Sequence, residues 1–129
     1  MADTDQVMRE DYVSFETAKL LKAAGYPQCK REEQYAGSKY TVDGELTHAP
    51  YAVHYAAPPL HRAMKWLRKV HNYFIQIELY SKYDNYTFEV FANTHRLICD
   101  ECLVYNTYEE ACDNAIRYTI EHYMKIKHK

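Results

Sequence analysis

Apolar positions along the chain recur with two periods, and the switches between them divide the sequence into elements. Phe15, Ala18, Leu20 and Leu21 recur at helical spacing, Ser14 before them carries the hydroxyl an N-cap uses, and Glu16 places a carboxylate in the first turn. The pattern predicts a helix over about 15–24. Gly25 supplies a left-handed stop, Tyr26 folds back on Leu21, and Pro27 keeps the helix from resuming. Further on, Pro58 and Pro59 open a second helix over about 59–71 with Leu60, Ala63, Met64, Leu67 and Val70, joined by Trp66, as its apolar face. Asn72, which tolerates the left-handed region, ends it.

Between these helices tyrosine replaces the aliphatics. Asp43-Gly44, flanked by 40–42 and 45–47, reads as a tight hairpin whose central residues need positive φ. Tyr51, Val53 and Tyr55 alternate with Ala52, His54 and Ala56, as an extended piece does. After Asn72 the period becomes two. Three runs, 73–80, 86–92 and 97–105, read as an antiparallel meander, with Tyr73, Ile75, Ile77 and Leu79 directed to the core. Asp100-Glu101 interrupts the third run and predicts a bulge or an early end. Thr107-Tyr108-Glu109-Glu110 is a capping box: Thr107 accepts from the Glu110 backbone and the Glu110 carboxylate reaches back to Thr107. A third helix follows through Ala111, Cys112, Ala115, Ile116, Thr119, Ile120 and Tyr123, and Lys125, Lys127 and Lys129 suit its negative end.

These elements predict an α+β fold, with the three-stranded antiparallel meander carrying the second and third helices on one face. The N-terminal helix and the tyrosine-rich hairpin segment complete it. The chain of 129 residues suits one domain over 13–129, preceded by a mobile acidic lead-in over 1–12 with Asp3, Asp5, Glu10 and Asp11 against Arg9. Leu, Ile, Val and Phe are scarce, yet the net charge of −2 is far from that of a disordered chain, and 14 tyrosines supply the missing ring area. Much of that area belongs at the margin of the core. No apolar run approaches the ~20 residues needed to span a bilayer, which predicts no membrane partner.

Four stretches together resemble a family of small uncharacterised proteins from gut Bacteroidales genomes and their phages or mobile elements. They are Tyr12-Val13-Ser14-Phe15-Glu16-Thr17-Ala18-Lys19-Leu20-Leu21 with Gly25, Ala57-Pro58, Lys65-Trp66-Leu67-Arg68-Lys69-Val70-His71-Asn72, and Thr107-Tyr108-Glu109-Glu110-Ala111. The tryptophan-centred octet is the most specific part, whereas Pro59-Leu60 departs from the polar residues more usual there. The resemblance implies a protein of the bacterial cytoplasm and brings no catalytic residue.

Candidate chemistry is sparse. Ser14, Ser38 and Ser81 lie in no nucleophile elbow, three scattered glycines form no phosphate loop, and no His-Glu-x-x-His pair occurs, so no catalytic residue or cofactor is assigned. Cys99 and Cys102, with His95 and either Cys112 or Cys29, have the residue types of a zinc-stabilised adaptor. On a strand, however, Cys99 and Cys102 point to opposite faces, and Cys102 and Cys112 read more simply as small apolar fillers. No metal ligand is therefore assigned.

The second helix carries Arg62, Lys65, Arg68 and Lys69 at i, i+3, i+6 and i+7 with no acid, unless the third helix pairs them. That stripe, with Tyr51 and Tyr55 as amphipathic rings, is the expected partner-binding surface of a small non-enzymatic binding or regulatory protein. The same cations suit phosphates, and nucleic acid is the alternative partner, against which stands an isoelectric point near 6.4. Trp66 reads as core, and the oligomeric state is open.

Overall fold

A computed structural model describes residues 11–28, 38–47, 55–80, 85–92, 95–97 and 104–126. Helix α1 spans Phe15–Ala23. Ser14 caps it through a side chain that accepts from the Thr17 backbone N–H at 3.3 Å. Its end is a Schellman motif: Tyr26 N–H donates to the Leu21 carbonyl at 2.8 Å and Gly25 N–H to that of Lys22 at 3.1 Å, with Gly25 at φ +100°. The chain upstream is already tied down at Tyr12, which forms a β-bridge with Pro59, so the expected lead-in stops short of that residue. Residues 1–10 lie outside the described ones.

Strands β1 (Lys39–Tyr40), β2 (Leu46–Thr47) and β3 (Tyr55–Ala56) form a small antiparallel sheet in the order β2-β1-β3. The Asp43-Gly44 hairpin exists with a different turn from the one expected. Thr41 N–H donates to the Glu45 carbonyl, leaving a three-residue loop over 42–44 in which Gly44 alone takes positive φ, at +89°. One left-handed residue at the end of a three-residue loop closes the hairpin, so Asp43 is spared that conformation. Of the extended piece expected around 51–56, β3 is the described part.

Helix α2 spans Leu60–His71, one residue inside the expected start, with Pro59 as N-cap and Asn72 left-handed at φ 66°. Leu60, Ala63 and Leu67 are buried, but Val70 at the last turn is 60% exposed rather than part of the apolar face. Asn72 turns the chain directly into β4 (Tyr73–Tyr80), which pairs along its whole length with β5 (Asn85–Ala92), and β6 (His95–Leu97) pairs on the far side of β5. The register sets Ile75 against Val90 and Ile77 against Phe88, making one apolar face. Leu79 has the correct parity for that face yet is 56% exposed, because the cluster over the sheet includes Tyr73, Ile75 and Ile77 and stops there. Of the third run expected over 97–105, Leu97 belongs to β6, and 98–103, with the bulge expected at Asp100-Glu101, lie outside the described residues. Tyr105 exchanges backbone hydrogen bonds of 2.7 and 2.8 Å with Tyr86.

Helix α3 (Tyr108–Tyr118) begins at Thr107, whose Oγ1 accepts from the Glu110 N–H at 3.0 Å. The reciprocal half of the capping box is displaced by one residue: the Glu110 carboxylate accepts from the N–H of Asn106, not from that of Thr107. After Tyr118 the helix widens into a π-helical turn over Thr119–Tyr123, and Thr119 Oγ1 donates to the Ala115 carbonyl at 2.8 Å. Ala115 meets Phe88 and Val90 of the sheet, while Cys112, Ile116 and Ile120 join Leu20, Leu21 and Leu67 in the main core. Helix α3 therefore lies between the larger sheet and α1. Helices α2 and α3 both pack on this sheet, as the pattern predicted.

Candidate functional site

The burial of Leu60, Ala63 and Leu67 fixes the orientation of α2, and the remaining positions follow from helical geometry. Arg62, Lys65 and Lys69 are exposed and Arg68 is half-buried. None of the four forms an ion pair among the described residues. No acid of α3 pairs with the stripe among the described residues, and two of them are engaged elsewhere. Glu110 is held by the Asn106 N–H at 3.1 Å and Asp113 by the Ser14 N–H at 2.8 Å, so both carboxylates serve backbone groups instead. Four cations on one short helix, without an ion pair among the described residues and with Arg68 and Lys69 in its dipole-negative last turn, make a local positive field on a chain of net charge −2.

Beside this face runs a groove of about 640 Å³ between α2 and the start of α3. Its α2 wall carries His61, Met64, Lys65 and Arg68 with Leu60 below, and its α3 wall carries Tyr108, Glu109 and Cys112; Asp11 and Tyr12 line it as well. The groove brings apolar area from Leu60, Met64 and Pro59 together with the cations Lys65 and Arg68 and the acids Asp11 and Glu109. Cys112 is buried, and burial pushes its thiol up to about 11 against the lowering effect of the Tyr108 hydroxyl, which hydrogen-bonds to it; Glu109 and Asp113 raise it further. Tyr108 is in turn raised, chiefly by the charge of Cys112, then by burial. At neutral pH this wall thus presents a neutral thiol and a neutral phenol, neither activated as a nucleophile. A second hollow, of about 610 Å³, shares Tyr12 and Glu109 with the first and is bordered by Ser14, Tyr40, Glu110 and Asp113.

Of the two tyrosines expected on the binding surface, Tyr55 is half-buried and engaged within the molecule. Its ring meets Phe15 edge-on at 5.6 Å, and the Lys22 ammonium lies 5.0 Å from its centroid. Tyr51 lies outside the described residues. Trp66 is only half-buried at the core margin, its ring edge-to-face with Tyr26 at 5.2 Å and with His71 at 4.7 Å. Among the described tyrosines Tyr40 is fully buried, whereas Tyr80 and Tyr108 are exposed. Tyr73, Tyr105, Tyr118 and Tyr123 surround Phe88, Val90 and Ala115 as half-buried rings.

For the zinc arrangement, His95 is exposed on β6 and Cys112 is in the core, while Cys29, Cys99 and Cys102 lie outside the described residues. No group of three or more His, Cys, Asp or Glu poised to hold a metal occurs among the described residues. The sequence analysis allowed for acids of the third helix beside these cations, but the groove that Tyr108, Glu109 and Cys112 line with α2 was not foreseen, because no local pattern signals which residues of the two helices meet.

No family model, curated protein or solved structure matches this chain. Among the described residues no helix is long and apolar enough to cross a membrane.

Proposed function

We propose that this chain is a small non-enzymatic binding or regulatory protein that engages an acidic protein partner through the cationic face of α2. The observation that carries this reading is the absence of any ion pair on Arg62, Lys65, Arg68 and Lys69 among the described residues. Charges left uncompensated within a molecule are available to steer and orient an oppositely charged ligand. The adjoining groove favours a protein over nucleic acid: Leu60, Met64 and Pro59 offer apolar area for a side chain, and Glu109 and Asp11 would repel a continuous phosphate backbone. The resemblance on the four quoted stretches supports a phage or mobile-element protein acting in the bacterial cytoplasm.

Pulldown from a bacterial lysate with and without nuclease tests the partner class. A protein partner retained after nuclease treatment, and released as salt rises, is the expected result. Retention that nuclease abolishes assigns the same cations to nucleic acid.

A further inference from the structure

The four cations are not equivalent, and their placement divides them. Lys65 and Arg68 line the groove between α2 and α3, whereas Arg62 and Lys69 do not. Glu109 of α3 lines the same groove, also without an ion pair among the described residues. Leu60 and Met64 of α2 add apolar lining to it. We infer that the groove is the specificity pocket of the binding face, taking one apolar side chain of a partner segment whose carboxylates lie on the α2 side only. This inference rests on the cationic-face reading above and adds to it an anchor and a direction.

Charge complementarity within a confined space selects the ligand. A cation at the rim of a surface attracts any anion within a Debye length, roughly 8 Å at physiological salt, without regard to shape. A cation on the wall of a groove that also buries apolar area acts at lower effective dielectric and fixes where a carboxylate must sit. The Glu109 carboxylate disfavours acids on the α3 side, and Asp11, next to Tyr12 at the start of α2, disfavours them there, so the carboxylates of the bound segment are directed to Lys65 and Arg68. The volume of about 640 Å³ exceeds what a single large side chain fills, leaving space for the flanking backbone.

The test uses the full chain and two labelled probes in a fluorescence-anisotropy titration: a short glutamate-rich peptide with one central phenylalanine, and the same peptide with that position changed to glutamate. The phenylalanine peptide is expected to bind roughly tenfold or more tightly than the all-glutamate one, because only it fills the apolar floor. Lys65→Gln with Arg68→Gln should weaken it roughly tenfold, and Arg62→Gln with Lys69→Gln less than about twofold. Glu109→Gln should tighten it about threefold. Equal losses from the two cation pairs, or equal binding of the two peptides, would overturn the pocket and leave the cationic-face reading standing. Binding untouched by either pair would overturn both.

Discussion

The Asp113 carboxylate on α3 accepts a 2.8 Å hydrogen bond from the backbone N–H of Ser14, the residue that caps α1. One side chain thus ties the start of the first helix to the last helix, across 99 positions of chain. Asp113→Ala should destabilise the fold by about 1–3 kcal/mol, since a charge-accepting bond is lost and a backbone donor is orphaned. Asp113→Asn, which keeps an acceptor oxygen, should cost less. Urea denaturation midpoints at fixed pH measure both.

Tyr40 makes a second long-range tie. Its hydroxyl donates to the Val13 carbonyl at 2.6 Å in a fully buried setting, with Phe15 edge-on to its ring at 5.5 Å. Tyr40→Phe keeps the ring contact and removes the donor, so a loss of about 1–2 kcal/mol is expected, and Tyr40→Ala about 3–5 kcal/mol. A thermal melt that leaves Tyr40→Phe at the native midpoint would show that the carbonyl finds another donor.

These two bonds mark the limit of what sequence patterning reveals. Local signals placed all three helices and the sheet that carries two of them. Ser14, Gly25, Asn72 and Thr107 act at helix ends as their chemistry requires, because a cap depends on neighbours a few residues away. Errors arose where tertiary cover decides the outcome. Leu79 has the period of a core residue but lies past the helical layer, Val70 has helical spacing but sits at the end of α2, and the Glu110 carboxylate chose Asn106 over Thr107. The cations of the candidate site were legible from spacing on one helix. The groove that two of them share with α3 was not, since each helix has its own pattern but tertiary packing decides which residues of the two meet.

Gly44 couples the hairpin to α1. It sits at φ +89°, and a Cβ there would lie 3.2 Å from the Phe15 ring. Gly44→Ala therefore meets both backbone strain and a crowded ring, with an expected cost of about 1–3 kcal/mol. Asn72 provides the contrast at φ 66°: Asn72→Gly should be neutral or slightly stabilising, whereas Asn72→Ala should cost about 1 kcal/mol. Chemical denaturation of the three variants beside the parent chain checks this ordering.

Cys112 should be a poor nucleophile in the folded protein. Burial first, then Glu109 and Asp113, hold its thiol protonated up to about 11, against about 9 ordinarily. Between these two values the unfolded chain binds fewer protons at this site than the native one. The thiol's contribution to stability is thus full below pH 9 and is lost as pH rises toward 11. Iodoacetamide alkylation mapped to the Cys112 peptide should be slow in native protein below pH 9 and fast in denaturant. Native labelling as fast as denatured labelling would contradict the buried, neutral thiol.

The most direct test of the account replaces the whole stripe. Arg62→Gln, Lys65→Gln, Arg68→Gln and Lys69→Gln together remove no ion pair among the described residues, so the Tm should stay close to that of the parent. The measurement is the amount of nuclease-resistant protein retained from lysate by this variant and by the parent chain at equal loading. A loss of roughly tenfold or more in partner retention is expected, with the fold intact. Undiminished retention by the charge-neutral helix would contradict it.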